Sequence, residues 1–143
     1  MEELLHYVWK HRLFPLAGLN TTDGQAVEVV DPGLANPNAG PDFSGAKVVI
    51  GGTLWAGNVE IHVKASDWFL HHHDEDERYD SVILHVVTVD DATVRRRNGR
   101  AIPQLVLPVP DSVRDNYNAL LREDRYPPCY RTVGDLSKLM VHS

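Results

Sequence analysis

One cysteine, Cys129, in 143 residues excludes an internal disulfide framework and a multi-cysteine zinc site. No apolar run approaches the roughly 18 residues needed to span a bilayer. The opening Met-Glu-Glu-Leu-Leu-His is acidic and lacks the basic start and apolar segment of a secretory leader, so the simplest expected location is the cytoplasm. There is no glycine-rich phosphate loop, no Gly-x-Ser-x-Gly, no repeat and no low-complexity tract. Positive charge is scarce: 14 Lys and Arg stand against 20 Asp and Glu, for a net charge of −6. That balance argues against a protein that coats nucleic acid, whose footprint is basic, but allows a local grip on phosphate. The one basic cluster, Arg95-Arg96-Arg97 with Arg100, flanks Asn98-Gly99 and reads first as a solvated hairpin tip.

What remains is an ordinary globular composition, 43% hydrophobic and 24% charged, enough for one domain with its own core. Residues 2–12 read as a helix with Leu4, Leu5, Val8 and Trp9 on one stripe. Thr21-Thr22-Asp23-Gly24 is a turn before a short strand at 26–30, and Asp31-Pro32-Gly33 ends that strand. Strands at 44–50 and 57–64 joined through Gly51-Gly52 predict an antiparallel hairpin. The run 82–89 is nearly all apolar, as in a strand buried on both faces. Segments 93–97 and 101–107 around Asn98-Gly99 predict a second hairpin, with Pro103 placing the returning strand at an edge. A helix follows over 111–123, with Val113, Tyr117, Leu120 and Leu121 on one face, and Pro127-Pro128 breaks the pattern. The fold expected is α/β (α+β): a twisted mixed sheet, mainly antiparallel, with an N-terminal and a C-terminal helix in one domain over 1–130. Residues 131–143 begin an amphipathic helix of barely two turns, which suggests the N-terminal part of a longer protein with a helical continuation.

The chemistry concentrates in Asp42, Glu60 and His62, spaced Pro-Asp, then Glu-x-His. Period-two geometry sets Val59, Ile61 and Val63 on one face of the strand, and Glu60, His62 and Lys64 on the other. Asp42 and Glu60 on neighbouring strands supply the hard oxygen ligands that Mg²⁺ or Mn²⁺ requires. His62 would then position or activate water, and Lys64 would stabilise phosphate charge. The blander reading makes Asp42 a turn residue after Pro41 and leaves Glu60 and His62 facing solvent. The run His71-His72-His73-Asp74-Glu75-Asp76 offers a second possibility, in which His71, His73 and Asp76 join His62 around zinc or manganese. Its bland counterpart is a polar loop between Trp68 and Tyr79. His85, inside the apolar run, reads as a hydrogen-bonded core histidine whose face could also meet the site. Glu2, Glu3 and Glu28 are candidate further carboxylates, Trp55 and Trp68 read as packing residues, and Cys129 has no identifiable catalytic partner.

The order helix, three strands, short crossover, strand, with Pro-Asp and Glu-x-His, resembles the core of the PD-(D/E)XK phosphodiesterase superfamily. The departure is His62 where that pattern has lysine, with Lys64 one strand repeat further on. Longer literal strings are similar to a bacterial family of uncharacterised proteins, domain of unknown function 2851. They include Tyr7-Val8-Trp9-Lys10, Asn38-Ala39-Gly40-Pro41-Asp42-Phe43, Trp55-Ala56-Gly57-Asn58-Val59-Glu60-Ile61-His62, Ser66-Asp67-Trp68 and Val82-Ile83-Leu84-His85-Val86-Val87. That family's histidine pattern, His-x-His-x-x-Asp-x-x-Tyr, falls on His71, His73, Asp76 and Tyr79. The resemblance implies a site at Asp42, Glu60, His62, His71, His73 and Asp76, and longer members with a helical C-terminal part. The function expected is a divalent-metal-dependent, nuclease-like phosphodiesterase core acting on nucleic acid or another phosphodiester. The alternatives are a non-catalytic structural or protein-binding module and a zinc-dependent hydrolase.

Overall fold

A computed structural model describes residues 2–109 and 111–124. The chain divides after Val109 into two compact units. In the second, helix α3 spans Asp111–Asp124, close to the expected 111–123. The Pro127-Pro128 break, Cys129, the boundary at 130/131 and the helix expected from Asp135 all lie outside the described residues. Among those described, no helix is long and apolar enough to cross a membrane.

The first unit opens with α1, Glu2–Lys10, whose buried residues are the predicted stripe Leu4, Leu5, Val8 and Trp9. Burying each of these side chains contributes roughly 1.5–3 kcal/mol. Trp9 also donates its indole N–H to the Pro32 carbonyl at 3.0 Å, which anchors the helix to the end of β1. Strands β1 (Val27–Asp31), β2 (Leu34–Ala35), β3 (Phe43–Ile50), β4 (Thr53–Ile61), β5 (Val82–Val87) and β6 (Gln104–Val106) form one sheet. Its main path runs β1-β3-β4-β5-β6, and β2 pairs with β3. The pairs β1–β3, β2–β3 and β3–β4 are antiparallel, whereas β4–β5 and β5–β6 are parallel. The fold is therefore the mixed α/β sheet expected from the sequence. The sheet also curls. Asn20 pairs with Ala26 and Thr21 with Leu105, so one short segment links the β1 side to the β6 edge.

The β3–β4 turn is Gly51-Gly52, with φ of 59° and 86°, the left-handed pair that a two-residue hairpin requires. The hairpin is longer than expected because β4 begins at Thr53 rather than at 57. Trp55, read as a packing residue, lies on this extension and is 47% exposed. The strand also ends earlier than expected, at Ile61. The chain bends at Val63, whose carbonyl accepts the N–H of both Thr88 and Val89. The alternation predicted to run through Lys64 stops at that bend.

The parallel β4–β5 pair needs a crossover. It is made by α2 (Asp67–Leu70) and two 3-10 turns, His73–Glu75 and Glu77–Tyr79. Every residue of β5 is buried, as its apolar run implied. The expected 93–107 hairpin is reduced to one bridge, Arg95 with Ala101, and β6 instead pairs in parallel with β5 at the sheet edge. Val94 and Ile102 turn into the core beside Trp68, Tyr79 and Val82, which draws the chain away from a regular ladder. The arginines of the tip are clamps. Arg97 pairs with Asp80 at 2.6 Å, and Arg96 donates to the carbonyls of Asp80 and Val82.

Close approach of β4 to β5 depends on Gly57. A Cβ there would lie 2.6 Å from Ile83 Cγ2 and 2.8 Å from the Ser81 carbonyl oxygen. Gly57→Ala is predicted to cost about 1–3 kcal/mol by overpacking, read as the shift in urea-unfolding free energy. A change below about 0.5 kcal/mol would show that the two strands are not held this tightly.

Candidate metal centre

Parallel pairing sets Glu60 level with His85, and the His62 N–H donates to the Val86 carbonyl at 2.9 Å. Both side chains are inside: Glu60 is 4% exposed and His62 1%. The blander reading, in which both face solvent, fails because the crossover and α1 close over that face. The crossover lays His71 and His73 against them. His72 is left-handed (φ 58°, ψ 31°), and that kink starts the 3-10 turn carrying His73 inward.

The four groups converge on one point. His62 Nε2 lies 3.2 Å from Glu60 Oε2, and His73 Nε2 lies 3.0 Å from the same oxygen. His71 Nδ1 is 3.3 Å from His62 Nε2. Ligand atoms of His62, His71 and His73 all fall within 4.8 Å of one another, so these three residues could hold a metal ion. A tetrahedral ion with bonds of 2.0–2.1 Å separates its ligand atoms by about 3.3 Å, the spacing of His71 Nδ1 and His62 Nε2, while the three-histidine set falls within the wider limit of 4.8 Å. The buried Nδ1 of His73 has no hydrogen-bond partner, so this ring is held by stacking on Tyr79 at 3.8 Å and by its Nε2 contact.

A carboxyl pair adjoins the histidines. The Asp42 N–H donates to Glu60 Oε1 at 3.0 Å, and the Ile61 N–H donates to Asp42 Oδ2 at 2.9 Å. Burial, and then the charge of Asp42, push Glu60 up to about 9, so it carries a proton at neutral pH. Burial also works against ionised Asp42. The close approach of His6 and the hydrogen bond from the Ile61 N–H outweigh it and hold Asp42 below the usual carboxylate value. His6 of α1, 3.4 Å from Asp42 Oδ2, is raised chiefly by that contact. Burial first, then neighbouring imidazoles, lowers His62 to about 3 and His73 to about 4. Both rings are therefore neutral, the form that ligates.

Other expected residues sit elsewhere. Lys64 is exposed past the bend, where its charge acts on Asp91. Asp76 caps the second 3-10 turn by accepting the Arg78 N–H at 2.9 Å and pairs with the Arg78 guanidinium at 2.6 Å. Glu28 lies on β1 opposite Val49, while Glu2 feels the charges of Asp42 and His71. His85 is a buried, hydrogen-bonded histidine that also meets the cluster, with Nε2 2.8 Å from His62 Nδ1. His6 and Gln104 had not been singled out. Gln104 was detectable as a lone amide in the apolar run after Pro103, whereas His6 looked like any polar residue of α1.

The chain belongs to the family described as "Protein of unknown function (DUF2851)", whose family model matches residues 2–143. No curated protein and no solved structure matches it.

The shifted groups fix the pH dependence of the metal-free fold. His62, His73 and His85 are all lowered, so between about pH 4 and 6.5 the unfolded chain binds protons that the folded chain refuses. Stability there rises with pH. Glu60 is raised, so between 4.5 and about 9 the folded chain holds a proton that the unfolded chain releases, and this contribution falls with pH. Three groups outweigh one below 6.5; above it only raised groups remain, Glu60 and His6, and both contributions fall with pH. Unfolding free energy in chelator is predicted to peak near pH 6.5 and then decline by on the order of 1 kcal/mol per unit. A continued climb from pH 6.5 to 8.5 would contradict the assignment of a buried, protonated Glu60.

Proposed function

We propose that this chain is a metal-dependent hydrolase of phosphodiesters built on a nuclease-like sheet, with His62, His71 and His73 as ligands. The observation that carries this reading is the convergence of three imidazoles and the Glu60 carboxyl on one small volume. Three nitrogen donors suit zinc, with manganese the next fit, better than magnesium, which prefers oxygen. Such an ion supplies a bound water with a pKa near 7 and polarises a phosphoryl oxygen.

The residues of the chain do the rest. Glu60, which accepts the Asp42 N–H, holds one proton beside the ligands and the charge of Asp42 helps to keep it there. His6 keeps Asp42 charged at the rim. His71 is the exposed member of the cluster and marks the side from which substrate approaches. The phosphodiester assignment rests on strand order: three antiparallel strands, a crossover, then a parallel strand, with Asp42 before β3 and Glu60 on β4. The net charge of −6 favours a small diester, or a strand gripped at one place, over an extended nucleic-acid footprint.

The nearness of Glu60 Oε2 to two imidazoles supports a second reading. As a fourth ligand it would close the coordination shell, and closed sites are structural. The chain would then be a metal-stabilised, non-catalytic module. Glu60→Gln separates the two. For the hydrolase, zinc affinity changes by less than about tenfold while turnover of bis(p-nitrophenyl) phosphate falls at least about 100-fold. For the structural site, zinc binding is lost and the wild type has no turnover to lose.

Zinc titration calorimetry in buffers of different ionisation enthalpy gives a further check. His62 and His73 are already neutral while Glu60 retains its proton, so binding at pH 7.5 is predicted to release about one proton more from the wild type than from Glu60→Gln. The same proton count in both proteins would remove Glu60 from the centre.

A further inference from the structure

Behind His62, away from the other ligands, a line of buried polar side chains runs out to the surface. His62 Nδ1 lies 2.8 Å from His85 Nε2. His85 Nδ1 lies 3.0 Å from Gln104 Oε1. Gln104 Nε2 donates to Asp90 Oδ1 at 2.7 Å and to the Ala92 carbonyl at 3.1 Å. His62, His85 and Gln104 are all buried, while Asp90 is exposed. A polar line of this length inside a sheet of Val, Leu and Ile costs desolvation unless every member is satisfied. Here they are satisfied in one way only.

The direction of every hydrogen bond follows from the outer end. Both partners of the Gln104 nitrogen, a carboxylate oxygen and a carbonyl oxygen, can only accept, so that nitrogen is the NH₂ and the other amide atom is the oxygen. An amide oxygen opposite His85 Nδ1 can only accept, so His85 carries its proton on Nδ1. A neutral ring protonated there has a bare Nε2, which must accept from His62 Nδ1–H. His62 in turn has its proton on Nδ1 and a bare lone pair on Nε2, the atom that faces Glu60 and His71.

We infer that Gln104 and His85 are positioning residues, a tautomer relay that holds His62 with its Nε2 lone pair facing the metal position. The relay is a property of the metal-free protein, and its consequence for affinity rests on the metal reading proposed above. Ligating histidines owe tautomer and ring orientation to the partner of their other nitrogen, and losing such partners typically costs about 10–100-fold in metal affinity. In this chain the partner is a second histidine, whose own tautomer is set one step further out. The relay also accounts for a glutamine and a histidine on the parallel strands β5 and β6, facing each other in register, His85 with Gln104, among apolar neighbours.

Long-range ¹H–¹⁵N correlation spectra of the metal-free wild type in chelator test the relay directly. His62 and His85 should both appear as Nδ1–H tautomers. In Gln104→Leu, His85 loses its acceptor and is free to reverse. His62 should then shift toward Nε2–H, and zinc affinity should fall by about 10–100-fold. A wild-type His62 protonated on Nε2 would overturn the relay. So would a Gln104→Leu protein that keeps the wild-type tautomers, or one whose tautomers reverse with no loss of zinc affinity while the wild type binds zinc. If the tautomers are as stated and the wild type binds no zinc, the relay stands and the metal reading fails.

Discussion

Two ionisable side chains, Glu60 and His62, are buried next to each other where an antiparallel hairpin meets a parallel strand. A carboxyl and an imidazole withdrawn from water must be neutralised, paired or bound to a metal, because an uncompensated buried charge costs several kcal/mol. The surrounding structure meets that demand from three sides. Backbone and carboxyl groups of Asp42 approach Glu60, two crossover histidines approach from outside the sheet, and the His85–Gln104 line supports His62 from behind. Most polar atoms of this apolar core have partners; His73 Nδ1 and the neighbouring Trp68 Nε1 are among the buried atoms that lack one.

The strand arrangement explains why these residues meet at all. Antiparallel pairing of β3 with β4 brings Asp42 to Glu60, eighteen residues apart in sequence: the Asp42 N–H donates to the Glu60 carboxyl, and the Ile61 N–H donates to the Asp42 carboxylate. Parallel pairing of β4 with β5 brings His85 level with Glu60, and the crossover that parallel pairing requires supplies His71 and His73. Topology thus assembles the centre from local pieces. The helix α1, anchored by Trp9 to Pro32, adds His6 to the rim.

Much of this was legible from residue order. Periodicity in Leu4, Leu5, Val8 and Trp9 gave the helix, Gly51-Gly52 gave the tight turn, and the run 82–89 gave the buried strand, which ends two residues earlier at Val87. Asp42, Glu60, His62, His71 and His73 were all singled out, but two competing metal sites were drawn from them where the structure brings the carboxyl pair and the histidines side by side. The reason is long-range: the crossover of α2 and two 3-10 turns, not local pattern, sets the histidines beside Glu60. Lys64 was grouped with Glu60 and His62 by alternation, which fails at the Val63 bend because two consecutive N–H groups of the neighbouring segment converge on one carbonyl. Asp76 was grouped by proximity in sequence, but its neighbour Arg78 claims it first. The outward line through Gln104 could not be read at all, since register between parallel strands leaves no trace in spacing.

The central claim is that imidazole nitrogens of His62, His71 and His73 form a transition-metal site. X-ray absorption at the zinc edge, on the zinc-loaded full chain, tests it most directly. The account predicts nitrogen and oxygen neighbours only, at about 2.0–2.1 Å, with the outer-shell scattering of about three imidazoles. A shell of oxygens without imidazole scattering, or one changed by neither His71→Ala nor His73→Ala, would contradict it.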